Sequence, residues 1–227
     1  MNVSLGFATA LAFALPLAGA GAAAPSSAPP AGRQTRPLPR SAGLYRLPFA
    51  DGTEVKVFDD FTTHRPVGRV DLFAVGGHAP YRVVAAAAGR IVAIQDGYSE
   101  QQSGRAAADC HNNYVWIEHP NGEWTNYSHL AHDSVSRRAG LHVGDQVKAG
   151  QYLGDEGAVG CAMLKHVHFE VAMPEHGTPI DAGGFLLDNE DSRRERNPRF
   201  CGVAGETVTK DATYRAVACP AAPASAR

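Results

Sequence analysis

Two segments, Tyr114-Val115-Trp116-Ile117-Glu118-His119 and Glu123-Trp124-Thr125-Asn126-Tyr127-Ser128, flank Pro120-Asn121-Gly122. An Asn-Gly pair tolerates the positive backbone angles of a tight turn, so the two segments are expected to pair as an antiparallel hairpin. Similar short runs recur along the chain. Residues 53–58, 70–75, 81–88 and 90–94 read as strands, 96–109 as a polar loop, and 144–154 as short strands around glycine turns. No amphipathic helix of useful length is visible between Leu44 and Pro174, and no repeat of fixed period. The fold class read from this pattern is all-β, a compact antiparallel sheet or sandwich. Beyond Glu175 the signal weakens. Residues 188–199 are heavily charged, and 201–227 read as a short C-terminal appendage.

With 44% hydrophobic residues the chain has an ordinary globular composition. A formal net charge of -2 offers no general basic surface, so nucleic acid is not an expected partner. Residues 1–24 carry no charged side chain, and the apolar run from Val3 to Leu17 is too short to span a membrane. It ends in small residues, with Ala18-Gly19-Ala20 matching a cleavage pattern, so 1–24 read as a secretory signal. No stable membrane insertion is expected once the signal is removed. Residues 25–43 are rich in Ala, Pro, Ser and Gly and read as a disordered linker. Export makes the four cysteines interpretable as disulfides. Of three possible connectivities, Cys201–Cys219 as a clasp on the tail and Cys110–Cys161 ahead of the histidine strand are favoured.

The chemistry concentrates in Leu164-Lys165-His166-Val167-His168-Phe169-Glu170-Val171. Its polar and apolar residues alternate, and a strand sends alternate side chains to opposite faces. His166, His168 and Glu170 then share one face, and Val167, Phe169 and Val171 the other. The two histidines lie about 6.6 Å apart along the strand. His64 and Asp71 sit around a Pro66–Gly68 turn, where both can face a common metal, and His129 ends the second hairpin strand. Taken singly, each of these residues is more often a solvated or hydrogen-bonded side chain than a ligand. His119, His111, His132, His142 and His176 are read as structural or solvated.

Taken in order, residues 113–119, 127–130, 143–151 and 166–170 resemble the lysostaphin-type (LytM-like) zinc metallopeptidases, which hydrolyse peptide bonds of bacterial peptidoglycan. The resemblance spans about residues 58–171. It implies a compact antiparallel β fold with a metal-site groove, Zn2+ held by His64, Asp71 and His168, and catalytic histidines at His129 and His166. The chain departs from the family's usual first motif, in which the His and Asp are four apart; here they are seven apart, with Pro66 between them. Asp59, Asp60 and His78 are nearby substitutes if the first ligand is replaced. No His-Glu-x-x-His sequence occurs, so the proton must be moved by another group, and histidine has a suitable pKa. Glu170 is read as a supporting or surface residue rather than a ligand.

The expected organisation is a signal at 1–24, a linker at 25–43, a lysostaphin-type domain at 44–190 and a disulfide-clasped tail at 191–227. The expected function is a periplasmic or secreted zinc endopeptidase, monomeric, acting on peptidoglycan peptides. The alternative is a non-catalytic relative that binds cell wall or regulates a partner hydrolase. A resemblance of residues 144–153 to lipoyl or biotinyl carriers is a minor third reading.

Overall fold

A computed structural model of the protein describes residues 38–65, 67–104, 110–174, 180–181, 183–186 and 194–220. The expected signal, and the linker as far as residue 37, lie outside the described residues. Eleven strands form two antiparallel sheets: β1 Glu54–Asp59, β2 Arg69–Val75, β3 Arg82–Val84, β4 Gly89–Gln95, β5 Tyr114–Glu118, β6 Trp124–Ser128, β7 Gln146–Val147, β8 Tyr152–Asp155, β9 Val167–Ala172, β10 Glu195–Arg196 and β11 Thr213–Arg215. The large sheet runs β11-β1-β2-β9-β6-β5-β4-β7, and β10 also pairs with β9; β3 and β8 form the second sheet. Helical structure among the described residues is confined to a π turn at Ser134–Arg138 and a 3-10 turn at Ala204–Glu206. The fold is all-β, as the period-two pattern and the glycine turns require.

The hairpin forms where Asn121-Gly122 places it. Gly122 has φ of 81°, a backbone angle that side chains with a Cβ disfavour. The His119 and Gly122 amides close the turn on Glu123 O and His119 O, both at 2.9 Å. Glu123 then does a second job. Its buried carboxylate accepts from Ala42 N (2.7 Å), Gly43 N (2.9 Å), Tyr45 Oη (2.7 Å) and Asn121 Nδ2 (2.9 Å). Arg40 and Ser41 pair with Asn197, and Ala42 and Gly43, at the end of the stretch read above as a disordered linker, are docked on the hairpin. Polar capture by one buried carboxylate, which leaves no trace in an Ala/Pro-rich sequence, holds them.

The alternation of the central strands divides the large sheet into two unlike faces. Val70 and Leu72 of β2, Val167, Phe169 and Val171 of β9, Tyr127 of β6, and Val115 and Ile117 of β5 join the main core. There they pack with Val83 of β3, Leu153 of β8, Tyr45, Leu47, Phe49 and Phe200. The opposite face carries Arg69, Asp71, His168, Glu170, Asn126, Ser128 and a small cluster of Trp116, Ala172 and Leu186. All six residues of β9 are buried, so Glu170 is not a strand surface residue.

The C-terminal segment is part of the sheet rather than an appendage. β10 continues along β9 with Arg196 opposite Val171, and β11 pairs with β1 with Tyr214 opposite Val55. Phe200 is fully buried in the main core. The sequence conceals this because β11 is an edge strand with Thr213 and Arg215 exposed, so it lacks apolar alternation. Both expected disulfides, Cys110–Cys161 and Cys201–Cys219, are formed.

Glu156 follows β8 and is buried beneath β2, where its carboxylate accepts from Ala74 N at 3.0 Å. Burial raises its pKa from 4.5 to about 7, against the opposing influence of that hydrogen bond and of Lys165. The folded chain thus holds this proton more tightly than the unfolded chain does. Its contribution to stability is full below the ordinary carboxylate range and is lost as pH rises through 7. Glu156→Gln keeps an acceptor for Ala74 without the titration. Between pH 5 and 8 the native protein should lose on the order of 2–3 kcal/mol relative to Glu156→Gln. Urea unfolding of both proteins at the two pH values measures this, and equal changes would refute it.

Candidate metal centre

The register of three strands builds the site. Asp71 of β2 lies opposite His168 of β9, and His168 lies opposite Ser128 of β6. One rung further along, Arg69 pairs with Glu170, and Glu170 with Asn126. Because the two rungs are separated by two residues, both project onto the same face of the sheet. The upper rung opens into a groove of about 730 Å³, whose lining includes His64, Asp71, His129, His166, His168 and Phe185.

His64 reaches this rung from an irregular loop. Its amide donates to Asp60 O at 3.0 Å, and the Gly68 amide closes the loop on Phe61 O at 3.0 Å. The seven-residue spacing is therefore accommodated as a bulge between His64 and β2. His64 Nε2 stands 3.5 Å from Asp71 Oδ2. The sequence-level substitutes do other work: Asp60 accepts from Thr62 N, Thr63 N and Lys210 N, Asp59 pairs with Lys210, and His78 lines a different surface pocket.

His64, Asp71 and His168 offer donor atoms all within 4.8 Å of one another and form a set that could hold a metal ion. Tetrahedral donors about 2.1 Å from a zinc ion would be roughly 3.4 Å apart. The observed 3.5 Å from His64 and 3.0 Å from His168 Nδ1 to the Asp71 carboxylate are of that size. Asp71 Oδ1 is buried and makes no aligned hydrogen bond among the described residues, which suits an atom available to a metal. The His168 nitrogen that faces it is Nδ1. Burial opposes ionisation of Asp71. The close His168 nitrogen and the charges of His168, His166 and His64 outweigh it and hold the carboxyl below the usual range. Burial lowers the His168 pKa to about 4, leaving it neutral and able to act as a ligand near pH 7.

The other two histidines are arranged differently. His129 follows β6 with φ of 65°, a left-handed conformation that costs a residue with a Cβ on the order of 1–2 kcal/mol. Its amide donates to Asn112 Oδ1 at 3.1 Å, and its Nδ1 donates to Val159 O at 2.7 Å. His166 Nδ1 donates to Leu164 O at 2.9 Å, and its Nε2 lies 3.6 Å from Asp71 Oδ1. A carbonyl can only accept, so both rings carry a proton on Nδ1, and in the neutral imidazole the lone pair is then on Nε2. The two ring centroids are 4.6 Å apart. Burial, reinforced by His166 and His168, lowers the His129 pKa to about 3.

The structure thus brings all five sequence-predicted site residues into one groove. It also adds residues the sequence reading missed. The Phe185 ring centroid lies 4.8 Å from that of His168 and 4.9 Å from the Arg69 guanidinium carbon. Arg69 also pairs with Glu170 at 3.4 Å and Glu195 at 3.9 Å. Arg69 was discoverable, since it stands two residues before Asp71 on the same strand face; Phe185 lies in a loop with no periodic signal. In that loop Gly184 O accepts from Trp116 Nε1 (2.8 Å) and Asn126 Nδ2 (2.9 Å) of the sheet. His119 is structural: its ring nitrogens bond Ala88 O and Thr125 Oγ1 within the hairpin.

Residues 68–182, half of the chain, match peptidase family M23. The chain belongs to that family. The matched span contains Asp71, His129, His166 and His168 and begins four residues after His64. Among solved structures it is similar to a putative M23 peptidase from Pseudomonas aeruginosa, with 26% identity over 58% of this chain and 48% of that one, at a TM-score of 0.38. It is also similar to the catalytic domain of the antimicrobial peptidase lysostaphin from Staphylococcus simulans, with 23% identity over 57% and 84% and a TM-score of 0.36. A third similarity is to the SpoIIQ-SpoIIIAH pore forming complex, with 21% identity over 70% and 94% and a TM-score of 0.41. The chain spans about half the length of the first of these. No curated protein matches it. No described helix is long and apolar enough to cross a membrane.

The anchoring of the Phe185 loop predicts an intolerant position. Gly184 has φ of 85°, and a Cβ there would stand 2.1 Å from Tyr114 Cδ1. Gly184→Ala should destabilise the protein by about 2–4 kcal/mol through overpacking and backbone strain. Chemical denaturation tests this; a change under about 0.5 kcal/mol, typical of an unconstrained surface site, would contradict it.

Proposed function

We propose that this M23 family member is an exported zinc-dependent endopeptidase that hydrolyses peptide bonds of bacterial peptidoglycan. The observation that carries the reading is the division of labour among the groove histidines. Three donor atoms lie within 4.8 Å of one another, and two further rings beside them each commit Nδ1–H to a backbone carbonyl. His64, Asp71 and His168 would hold the zinc; three protein donors are the pattern of catalytic rather than structural sites. Bound there, zinc supplies Lewis acidity, polarising the scissile carbonyl and making water nucleophilic near neutral pH.

The remaining chemistry belongs to the chain. His129 and His166 each have Nδ1–H committed to a backbone carbonyl, so each ring is oriented and can accept a proton only at Nε2. Between them they can take a proton from the attacking water and return one to the leaving amine. Phe185, Leu164 and Leu186 supply apolar lining to the groove. The peptidoglycan substrate follows the family resemblance. Two disulfides are consistent with an oxidising, periplasmic or extracellular setting, and a monomer is proposed. The wide His64–Asp71 spacing motivates the alternative of a non-catalytic relative; the 3.5 Å approach of the two side chains supports an intact ligand set instead.

Substitution separates the roles. His168→Ala should lose zinc and activity together. His129→Ala and His166→Ala should retain most of their zinc while losing activity by about 10² to 10⁴. Elemental analysis of the purified proteins, with mass analysis of cell-wall fragments produced with and without chelator, reads both quantities. If His166→Ala empties the site and His168→Ala does not, the assigned roles are reversed. If a zinc-loaded native protein cleaves no wall peptide, the non-catalytic reading gains.

A further inference from the structure

The carbonyls that orient His129 and His166 come from the same short segment. Val159 O receives the His129 Nδ1–H, and Leu164 O receives the His166 Nδ1–H. Residues 159–164 contain no strand, so no sheet ladder fixes where these carbonyls point. Their placement rests on ties to the facing loop. Gln102 N donates to Gly160 O at 2.7 Å, Gly160 N to Glu100 O at 2.9 Å, and Gln101 Nε2 to Ala162 O at 2.8 Å. Between the two orienting carbonyls, Cys161 is covalently joined to Cys110.

Two residues beyond Cys110, Asn112 acts on the same groups from the other side. Its Oδ1 accepts the His129 amide at 3.1 Å, and its Nδ2 donates to Gly183 O at 3.0 Å, in the loop that carries Phe185. Its side chain is also the nearest neighbour of Gly160, at 3.1 Å from the position of a Cβ there. By contrast, Asp71 and His168 lie on paired strands, and His64 lies on the loop closed by Gly68. The candidate metal ligands therefore do not depend on residues 159–164.

We infer that the Cys110–Cys161 bridge and Asn112 are positioning groups for His129 and His166, holding both rings in the Nδ1–H form with Nε2 toward the groove. This rests on the proposed catalytic role of the two histidines, but the tautomers themselves can be observed without any turnover. Which nitrogen of a neutral imidazole carries the proton is set by the hydrogen bond it makes. Loss of the bridge frees the segment, removes the bias at both rings together and leaves the metal donors in place.

Nitrogen-15 NMR of histidine-labelled, zinc-loaded protein reads the tautomers directly. The native protein should show Nδ1–H at both His129 and His166. In Cys110→Ser/Cys161→Ser both signals should move toward the mixed or Nε2–H form, with bound zinc unchanged. Its kcat on wall peptides should fall about 10–100-fold, the usual effect of removing a group that orients an active-site ligand. Cys201→Ser/Cys219→Ser should leave both tautomers unmoved. Retention of Nδ1–H at both rings in the first variant overturns the inference, and so does loss of zinc together with the tautomers, which marks a general clamp. If that variant does not fold, Asn112→Ala decides with the bridge intact: His129 alone should lose its bias and kcat should fall with KM little changed, and an unaltered His129 signal overturns the inference. A native protein with both tautomers in place that cleaves no peptide overturns the catalytic reading instead, while the tautomer shift still decides the positioning role.

Discussion

A one-residue slip of β9 between β2 and β6 would turn His168 and Glu170 into the main core and present Phe169 to the groove. The register that prevents this is held on both sides: Val70 faces Phe169 and Phe169 faces Tyr127, so three core residues lock together across the sheet. The Tyr127 and Phe169 rings meet edge to face at 5.4 Å. Burying such a row gains several kcal/mol, while the slipped arrangement would bury a carboxylate and an imidazole among aliphatic side chains. The polar rungs on the other face inherit their alignment from this apolar lock. Asp71 meets His168 because Val70 meets Phe169.

That second face is unusual for a sheet, because it is both polar and buried. Asp71, His168, Glu170, Asn126 and Ser128 are all largely excluded from solvent. Each needs a partner, and the arrangement provides one along each rung. Arg69 serves Glu170, and Asn126 links Ser128 Oγ to the Gly184 carbonyl. Asp71 Oδ1 has no aligned partner among the described residues, and Asp71 belongs to the candidate metal set. The same burial keeps His129 and His168 neutral, which a ligand and a proton acceptor both require.

The loops around the groove are irregular, and side-chain amides and carboxylates hold them where no ladder can. Glu123 captures residues 42–45, Asn112 joins His129 to the Gly183 carbonyl, and Asp96 caps the π turn through Val135 N and Ser136 N. These contacts span 17 to 81 residues of sequence. Drawing such distant segments together costs loop-closure entropy that these bonds must offset.

The resemblance of its motifs to a known family pointed to the five residues that meet in the groove; by itself the sequence determined the central strands, the hairpin and the disposition of the β9 side chains. Those features are local or period-two: Asn121-Gly122 turns the chain, and His166-Val167-His168-Phe169-Glu170 sorts itself onto two faces whatever the partner strands are. Tertiary structure alone decided the rest. The bulge that carries His64 to Asp71 across seven residues, the Phe185 ring beside His168, the docking of residues 38–43 and the insertion of β10 and β11 into the sheet all depend on contacts between distant segments. No periodicity encodes a backbone carbonyl's direction. The Nδ1–H state of His129 and His166 was set only when the Val159 and Leu164 carbonyls came to rest against the two rings.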